Sequence, residues 1–170
     1  MKKNTRYLVQ CAMIAALYAV LAHLQNFIFP GSASMAVQFR CAEALCALAF
    51  FTPAAIPGLT LGCLLFNLTF GGALPFDFFV GSAASFLTAW CIRKSRSWTI
   101  GGFPLPGLLM PALFNGLLVG AELTLTAGIG GAFWLNAVLV AAGELGVMFT
   151  LGVALYYTIK LRHLERKLFP

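Results

Sequence analysis

The side chains best suited to chemistry in this sequence are ionisable and amide groups embedded in long apolar runs. A single cation, Arg40, stands among four carboxylates in those runs: Glu43, Asp77, Glu122 and Glu144. The amide and imidazole side chains of the same runs are His23, Gln25, Asn26, Gln38, Asn67, Asn115 and Asn136. A charged group within a lipid bilayer costs at least about 2.5–3.5 kcal/mol on insertion scales. Such residues therefore point to a binding site or to internal pairing.

The excess of carboxylates restricts the ligand that such a site would take. A buried carboxylate needs hydrogen-bond donors, or it takes up a proton. A ligand that is rich in N–H groups or carries an ammonium would supply those donors, whereas an anion would not. A planar heterocycle with an amidine-like N–H edge can bind a carboxylate through two parallel hydrogen bonds, as a guanidinium does.

Each candidate also has a purely structural interpretation. The candidate ligand-binding residues are Gln38, Arg40, Glu43, Asn67, Asp77, Glu122, Trp134, Asn136 and Glu144. Arg40 and Glu43 could instead pair as i, i+3 neighbours on one helix face, and Asp77 could cap a helix N-terminus. The asparagines could link helices by hydrogen bonds. Trp134 could belong to an interfacial aromatic belt, with stacking on a ligand as the alternative.

The elements that hold these residues must be membrane helices. Of the 170 residues, 61% are hydrophobic and 9% are charged, with a mean hydropathy of +0.90. Soluble domains carry about 25% charged residues. So few charges could not cover a water-facing surface, so the solvent of this chain is largely lipid. We expect one integral membrane domain over residues 1–170, with the basic start leading into a retained first helix.

Apolar runs punctuated by Gly and Pro predict an all-α membrane protein with six transmembrane helices. The predicted spans are 7–29, 39–51, 54–70, 76–92, 108–127 and 133–159. The second span is too short to cross a full bilayer core as a straight α-helix. Its structure is therefore the feature that the sequence defines least.

The basic residues predict the orientation of the spans. Ten of the eleven basic residues fall in three short segments, 2–6, 93–96 and 160–167. By the positive-inside rule, six crossings place both termini and the 93–96 loop in the cytoplasm, whereas five crossings would leave one basic segment outside. With six crossings, most of the intramembrane polar residues lie in the outer half and predict a pocket that opens outward. The same distribution is unlike a nucleic-acid groove.

The sequence shows no signature of an enzyme or of a resident cofactor. The five cysteines form no CxxC pair and lie in apolar surroundings, which is typical of packing residues rather than metal ligands. There is no phosphate-binding glycine loop with a following Lys, and no HExxH motif. If this chain concentrates a solute, another subunit must supply the energy.

Small residues spaced by four mark faces where helices can approach closely. Gly58 and Gly62 form such a pair in the third predicted span, and Gly116 and Gly120 form one in the fifth. Most such pairs pack helices within a bundle. A pair on a terminal helix, such as Ala12 and Ala16, could also dock a partner.

Two stretches of the chain resemble the QueT-type substrate-binding (S) component of energy-coupling factor (ECF) transporters. They are QFRCAEAL at 38–45 and FFTPAAIPGL at 50–59, followed by GCL at 62–64. The chain departs from the usual pattern at Cys41, Cys46 and Ala49. The resemblance implies an S-component bundle of six helices in a bacterial inner membrane, which captures a queuosine precursor of the 7-deazaguanine type. It also implies a transmembrane coupling subunit, docked at Ala12 and Ala16, and two cytoplasmic ATPases.

Two other classes of protein remain open at this stage. One is an S component for another vitamin, such as riboflavin or thiamine. The other is a small integral membrane enzyme that uses Glu122 and Glu144 as acid and base.

Overall fold

The computed structural model describes residues 3–32, 39–71, 73, 76–126 and 133–169. Within these ranges the regular structure is helical, apart from one isolated bridge between Ile100 and Phe103 in a connecting turn. The main helices are α1 (Lys3–Ile28), α2 (Cys41–Phe50), α3 (Ala55–Thr69), α4 (Asp77–Lys94), α5 (Leu105–Thr126) and α6 (Phe133–Leu161). A short helix, α7 (Leu164–Leu168), follows them.

The surface of the bundle is apolar. Phe27 is 84% exposed and Leu125 is 83% exposed, and large apolar side chains are exposed on other helices as well. Helices α1, α5 and α6 are long and apolar enough to cross a membrane, and α2 and α3 are shorter apolar helices. Polar side chains lie inside while apolar ones face out, which is the arrangement expected of a protein whose solvent is lipid. The predicted fold class, an all-α membrane protein, is confirmed.

The short second span is a 3₁₀ helix. Its ten residues cover about 20 Å at a rise of about 2.0 Å each, about a third more than the same residues would cover as an α-helix. All residues of α2 from Ala42 to Phe50 are buried, and α2 packs against α1, α3, α4 and α6. Its alanines and cysteines are small, so four neighbouring helices can approach it. The segment that the sequence defined least is therefore the centre of the bundle.

Glycines allow two pairs of helices to approach closely. A Cβ atom added at Gly62 of α3 would lie 2.6 Å from the Cβ of Tyr18 on α1. One added at Gly120 of α5 would lie 2.7 Å from the Cα of Ala137 on α6. The predicted packing role of the glycine pairs is confirmed, because any side chain at these positions would push the helices apart.

Three parts of the chain meet at one end of the bundle. Arg93, at the end of α4, donates a hydrogen bond to the carbonyl of Phe50 over 3.1 Å. Gln10 of α1 donates to the carbonyl of Leu168 in α7 over 2.9 Å. Lys3 and Arg6 border the same cleft as Arg93. Residues from all three basic segments or their flanks are thus together at one end, as the six-span prediction requires.

Candidate functional site

Seven of the polar residues that lie within the apolar runs of the sequence come together inside the bundle, next to Tyr18. We call this set the polar cluster; it consists of Tyr18, Arg40, Glu43, Asn67, Asp77, Asn115, Glu122 and Glu144. All are buried, with at most 6% of each residue exposed. All six main helices contribute to it. Residues that are up to 126 positions apart in the sequence therefore share one site.

The deeper part of the polar cluster is centred on Glu43. The Tyr18 hydroxyl donates to Oε1 of Glu43, and the Cys46 thiol donates to Oε2 over 3.2 Å. Glu144 of α6 lies beside Glu43 and next to Asn115 of α5. The sequence-based alternative for Glu43 was a pair with Arg40. The structure instead gives its two carboxyl oxygens to Tyr18 and Cys46, with Arg40 as a charged neighbour.

The rest of the polar cluster surrounds Arg40, the residue before α2. Its guanidinium carbon lies 5.9 Å from the centre of the Phe66 ring, which suits a cation–π contact. Asp77 and Glu122 are charged neighbours of Arg40. The Glu122 carboxyl of α5 also lies beside that of Asp77 on α4. One cation is therefore shared among carboxylates from several helices.

Asn67 and Asp77 hold the start of α4. The Asn67 side-chain N–H donates to the carbonyl of Asp77 over 2.8 Å. Phe76 is the N-cap residue of α4, with no capping hydrogen bond from its side chain. The N-cap interpretation of Asp77 is therefore wrong, because Asp77 lies one residue inside the helix. A carboxylate in the first turn is still favourable towards the helix dipole.

Several buried polar atoms of the cluster have no hydrogen-bond partner among the described residues. Those atoms are Nε of Arg40, Oδ1 of Asn67, Nδ2 of Asn115, both carboxyl oxygens of Glu122 and Oε2 of Glu144. Two of these groups do have polar neighbours, since the Glu122 carboxyl lies beside that of Asp77 and Asn115 lies beside Glu144. An unsatisfied buried polar atom costs about 1–3 kcal/mol, and native proteins contain few of them. A group of such atoms, both donors and acceptors, is what a site for a polar ligand would present.

Two candidates lie apart from the cluster, and a third is not described. Trp134 is 68% exposed and borders a shallow apolar groove with Leu113 and Val138. Asn136 is buried and donates to the Thr124 hydroxyl over 2.9 Å, which links α6 to α5. This contact agrees with the packing interpretation of Asn136. Gln38 lies outside the described residues. The ligand roles of these three residues stay predictions.

Polar residues at the C-terminal end of α1 hydrogen-bond to the neighbouring segments. Gln25 donates to the carbonyl of Phe39 and accepts from the amide of Cys41 over 2.6 Å. His23 is 2.8 Å from the Thr69 hydroxyl. These side chains hold the chain that enters α2 and the end of α3, and so they position Arg40 and Asn67.

The sequence did not indicate Tyr18, which belongs to the cluster, or Cys46 and Ser85, which lie near it. Ser85 is buried beside Cys63. It follows Asp77 by eight positions, so a helical projection would have placed both on one face. Tyr18 carried no such signal, because tyrosines are also common at membrane interfaces. Within the described ranges, no three His, Cys, Asp or Glu side chains are grouped as metal ligands.

A helical bundle with an apolar surface and a buried polar site defines an integral membrane protein of the kind that handles a small solute. A family model described as QueT transporter matches residues 8–161. The chain therefore belongs to the QueT transporter family, as the resemblance of residues 38–64 predicted. No curated protein and no solved structure matches the chain.

Proposed function

We propose that this protein is the substrate-capturing S component of an ECF-type importer and that it binds a queuosine precursor of the 7-deazaguanine type. The observation that carries the proposal is the polar cluster with its unsatisfied carboxyl oxygens at Glu122 and Glu144. The family of the chain supports transport as the general function.

A 7-deazaguanine matches the donors and acceptors of the cluster. Its guanine-like edge offers two neighbouring N–H donors, which a carboxylate can accept as a parallel pair. Its carbonyl oxygen is an acceptor, and Nε of Arg40 or Nδ2 of Asn115 are donors without partners in the described residues. Binding would thus satisfy acceptor and donor atoms together. A site with one cation among four carboxylates disfavours an anionic substrate.

The energy for uptake would come from other subunits. In the sequence we find no nucleotide-binding loop, so we assign ATP hydrolysis to two cytoplasmic ATPases joined through a transmembrane coupling subunit. Ala12 and Ala16 are both exposed on α1, on a face that also exposes Met13 and Leu17. An exposed pair of small residues suits close contact with a helix of that coupling subunit.

The convergence of the basic segments supports an orientation with both termini in the cytoplasm of a bacterial inner membrane. Lys3, Arg6 and Arg93 then face the cytoplasm. The α2 N-terminus and the start of α4 lie at the opposite end, so Arg40 and Asp77 are on the external side. A substrate would enter from outside.

Bulky substitutions at Ala12 and Ala16 test whether this face of α1 docks the coupling subunit without taking part in substrate binding. We expect Ala12→Phe and Ala16→Phe to leave binding of a 7-deazaguanine by the purified chain unchanged. Uptake by cells that also produce the coupling subunit and the ATPases should fall to background, because the added ring separates the two helices. Ala83→Phe is the matched control, since Ala83 is exposed on α4. Uptake that persists without the ATPases, or in both α1 variants, would contradict the proposal.

A further inference from the structure

We propose that the cytoplasmic end of α1 carries a binding site for one anionic phospholipid, with its phosphate in a basic cleft and an acyl chain in an adjoining apolar groove. The site is separate from the polar cluster and independent of the identity of the transported substrate. It uses the proposed orientation only to assign the leaflet. Its groove includes Ala16, which the proposed function assigns to the coupling subunit, so the lipid occupies the groove of the isolated chain and the coupling subunit displaces it.

The basic cleft has a volume of about 500 Å³. Its lining comes from α1, from the turn after α2, from the end of α4 and from the C-terminal segment; the residues are Lys3, Arg6, Tyr7, Gln10, Phe51, Thr52, Pro53, Arg93 and Phe169. Among the described residues that line the cleft, three are cationic and none is acidic. A cleft with one sign of charge attracts an ion of the opposite sign.

The cleft is held in shape by hydrogen bonds between the segments that line it. The Thr52 hydroxyl donates to Oε1 of Gln10 over 3.3 Å, and Gln10 in turn donates to the carbonyl of Leu168 over 2.9 Å. Arg93 is half-buried and uses one N–H to bond the carbonyl of Phe50. A guanidinium has five N–H donors, so others remain for a phosphate oxygen.

An apolar groove of about 530 Å³ continues from the cleft along α1. Gln10 and Phe169 line both cavities, so the two are adjacent. The remaining groove residues are Met13, Ile14, Ala16, Leu17, Val20, Leu48 and Leu168. This surface cannot bind a second charge, but it can cover a hydrocarbon chain.

The dimensions fit a lipid of one leaflet. From Gln10 to Val20, α1 rises about 15 Å at 1.5 Å per residue. One leaflet contributes about half of the 30 Å hydrocarbon core, which is also about 15 Å. The basic cleft is followed by an apolar groove about as long as one leaflet is thick. This combination fits a phospholipid better than a free phosphate. The cytoplasmic leaflet is the one that attracts basic segments through its anionic lipids.

Native mass spectrometry of the purified full chain tests the site. The probes are phosphatidylglycerol, phosphatidylcholine with the same acyl chains, and glycerol 3-phosphate as the headgroup alone. We expect phosphatidylglycerol to bind at least tenfold more tightly than the other two. Lys3→Gln and Arg93→Gln should each weaken it roughly fivefold. Arg96→Gln, which removes a nearby cation outside the cleft, should change it less than twofold.

The groove has its own matched pair of variants. Ala16→Phe fills the groove and should weaken phosphatidylglycerol binding, whereas Ala12→Phe, on the same helix but outside the groove lining, should not. Arg93→Gln could also disturb the contact between Arg93 and Phe50. Lys3→Gln tests the cleft without that effect, because Lys3 is exposed.

Three results would overturn the proposal. Equal binding of the two lipids, or an effect of Arg96→Gln as large as that of Lys3→Gln, would mean non-specific attraction. Equal binding of glycerol 3-phosphate would mean a site for free phosphate. Unchanged lipid binding in Ala16→Phe, together with loss of the coupling subunit, would make the groove a protein interface. None of these results bears on capture of the substrate by the polar cluster.

Discussion

Glu122 and Glu144 are the residues on which the proposed recognition depends most. Both are buried; Oε2 of Glu144 has no hydrogen-bond partner among the described residues, and the Glu122 carboxyl has that of Asp77 as its polar neighbour. Glu43 differs, because Tyr18 and Cys46 bond its carboxyl. A ligand N–H edge would therefore gain more from Glu122 or Glu144 than from Glu43.

Replacing either of these carboxylates by an amide should weaken ligand binding. Glu122→Gln or Glu144→Gln keeps the shape but puts a donor where the ligand also donates. A hydrogen bond to a charged group is worth about 1.5–3 kcal/mol, so we expect a loss of roughly tenfold to several hundredfold in affinity for at least one variant. Calorimetry with a 7-deazaguanine measures it.

The matched control is Glu165→Gln. Glu165 lies in α7 and is 3.7 Å from His163, far in sequence from the polar cluster. Its replacement should leave affinity unchanged. If both cluster variants remain folded and bind like the parent chain, recognition rests on the asparagines and aromatic rings instead.

The polar residues of the site could be predicted because charge within an apolar run is costly and therefore conspicuous. Their partners could not. The bonds from Tyr18 and Cys46 to Glu43 depend on the close approach of α1 to the centre of the bundle, which no local pattern shows. The role of Trp134 could not be predicted either, because an aromatic residue near the end of a span suits contact with a ligand as well as contact with lipid.

At the scale of helices, Gly and Pro marked the ends of the elements well. The predicted third span, 54–70, and the observed α3, Ala55–Thr69, differ by one residue at each end. The 3₁₀ form of α2 could not be predicted, because 3₁₀ runs longer than about four residues are uncommon, whereas α2 has ten. Length alone indicated that α2 was unusual.

The glycine contacts allow a stability prediction. In Gly62→Ala, the new Cβ would lie 2.6 Å from the Cβ of Tyr18 and 2.9 Å from the carbonyl of Ala15. Overfilling a packed interior typically costs 1–3 kcal/mol, so the free energy of unfolding should fall by about that amount. Thermal unfolding in detergent measures it. Gly71→Ala is the control, because nothing lies within 4 Å of a Cβ there. Equal melting temperatures for the two variants would contradict the close α1–α3 contact.

For the molecule as a whole, the basic residues predicted that the three basic segments share one side of the membrane, and the fold is compatible with that arrangement. Lys3, Arg6 and Arg93 come from distant parts of the sequence and border one cleft. The sequence could indicate which segments share a side of the membrane, since insertion depends on local charge. It could not indicate that they form a cleft continuous with a groove on α1.

Accessibility to an impermeant thiol reagent tests the orientation in intact cells. In a background without the five native cysteines, a cysteine introduced at Arg96 or Lys167 should stay unlabelled. One introduced at Gly71, between α3 and α4, should react from outside. The control is permeabilised cells, in which all three positions should react. Labelling of the Arg96 position from outside would contradict both the six crossings and the outward direction of substrate entry.

The identity of the ligand that co-purifies with the chain is the decisive test of our claim that the polar cluster captures a 7-deazaguanine. The measurement is mass spectrometry of small molecules released from protein purified out of cells supplied with queuosine precursors, riboflavin and thiamine together. We predict a 7-deazaguanine in near-stoichiometric amount from the parent chain, and much less from the weaker-binding variant among Glu122→Gln and Glu144→Gln. Release of a flavin or thiamine in place of the deazaguanine would contradict the claim.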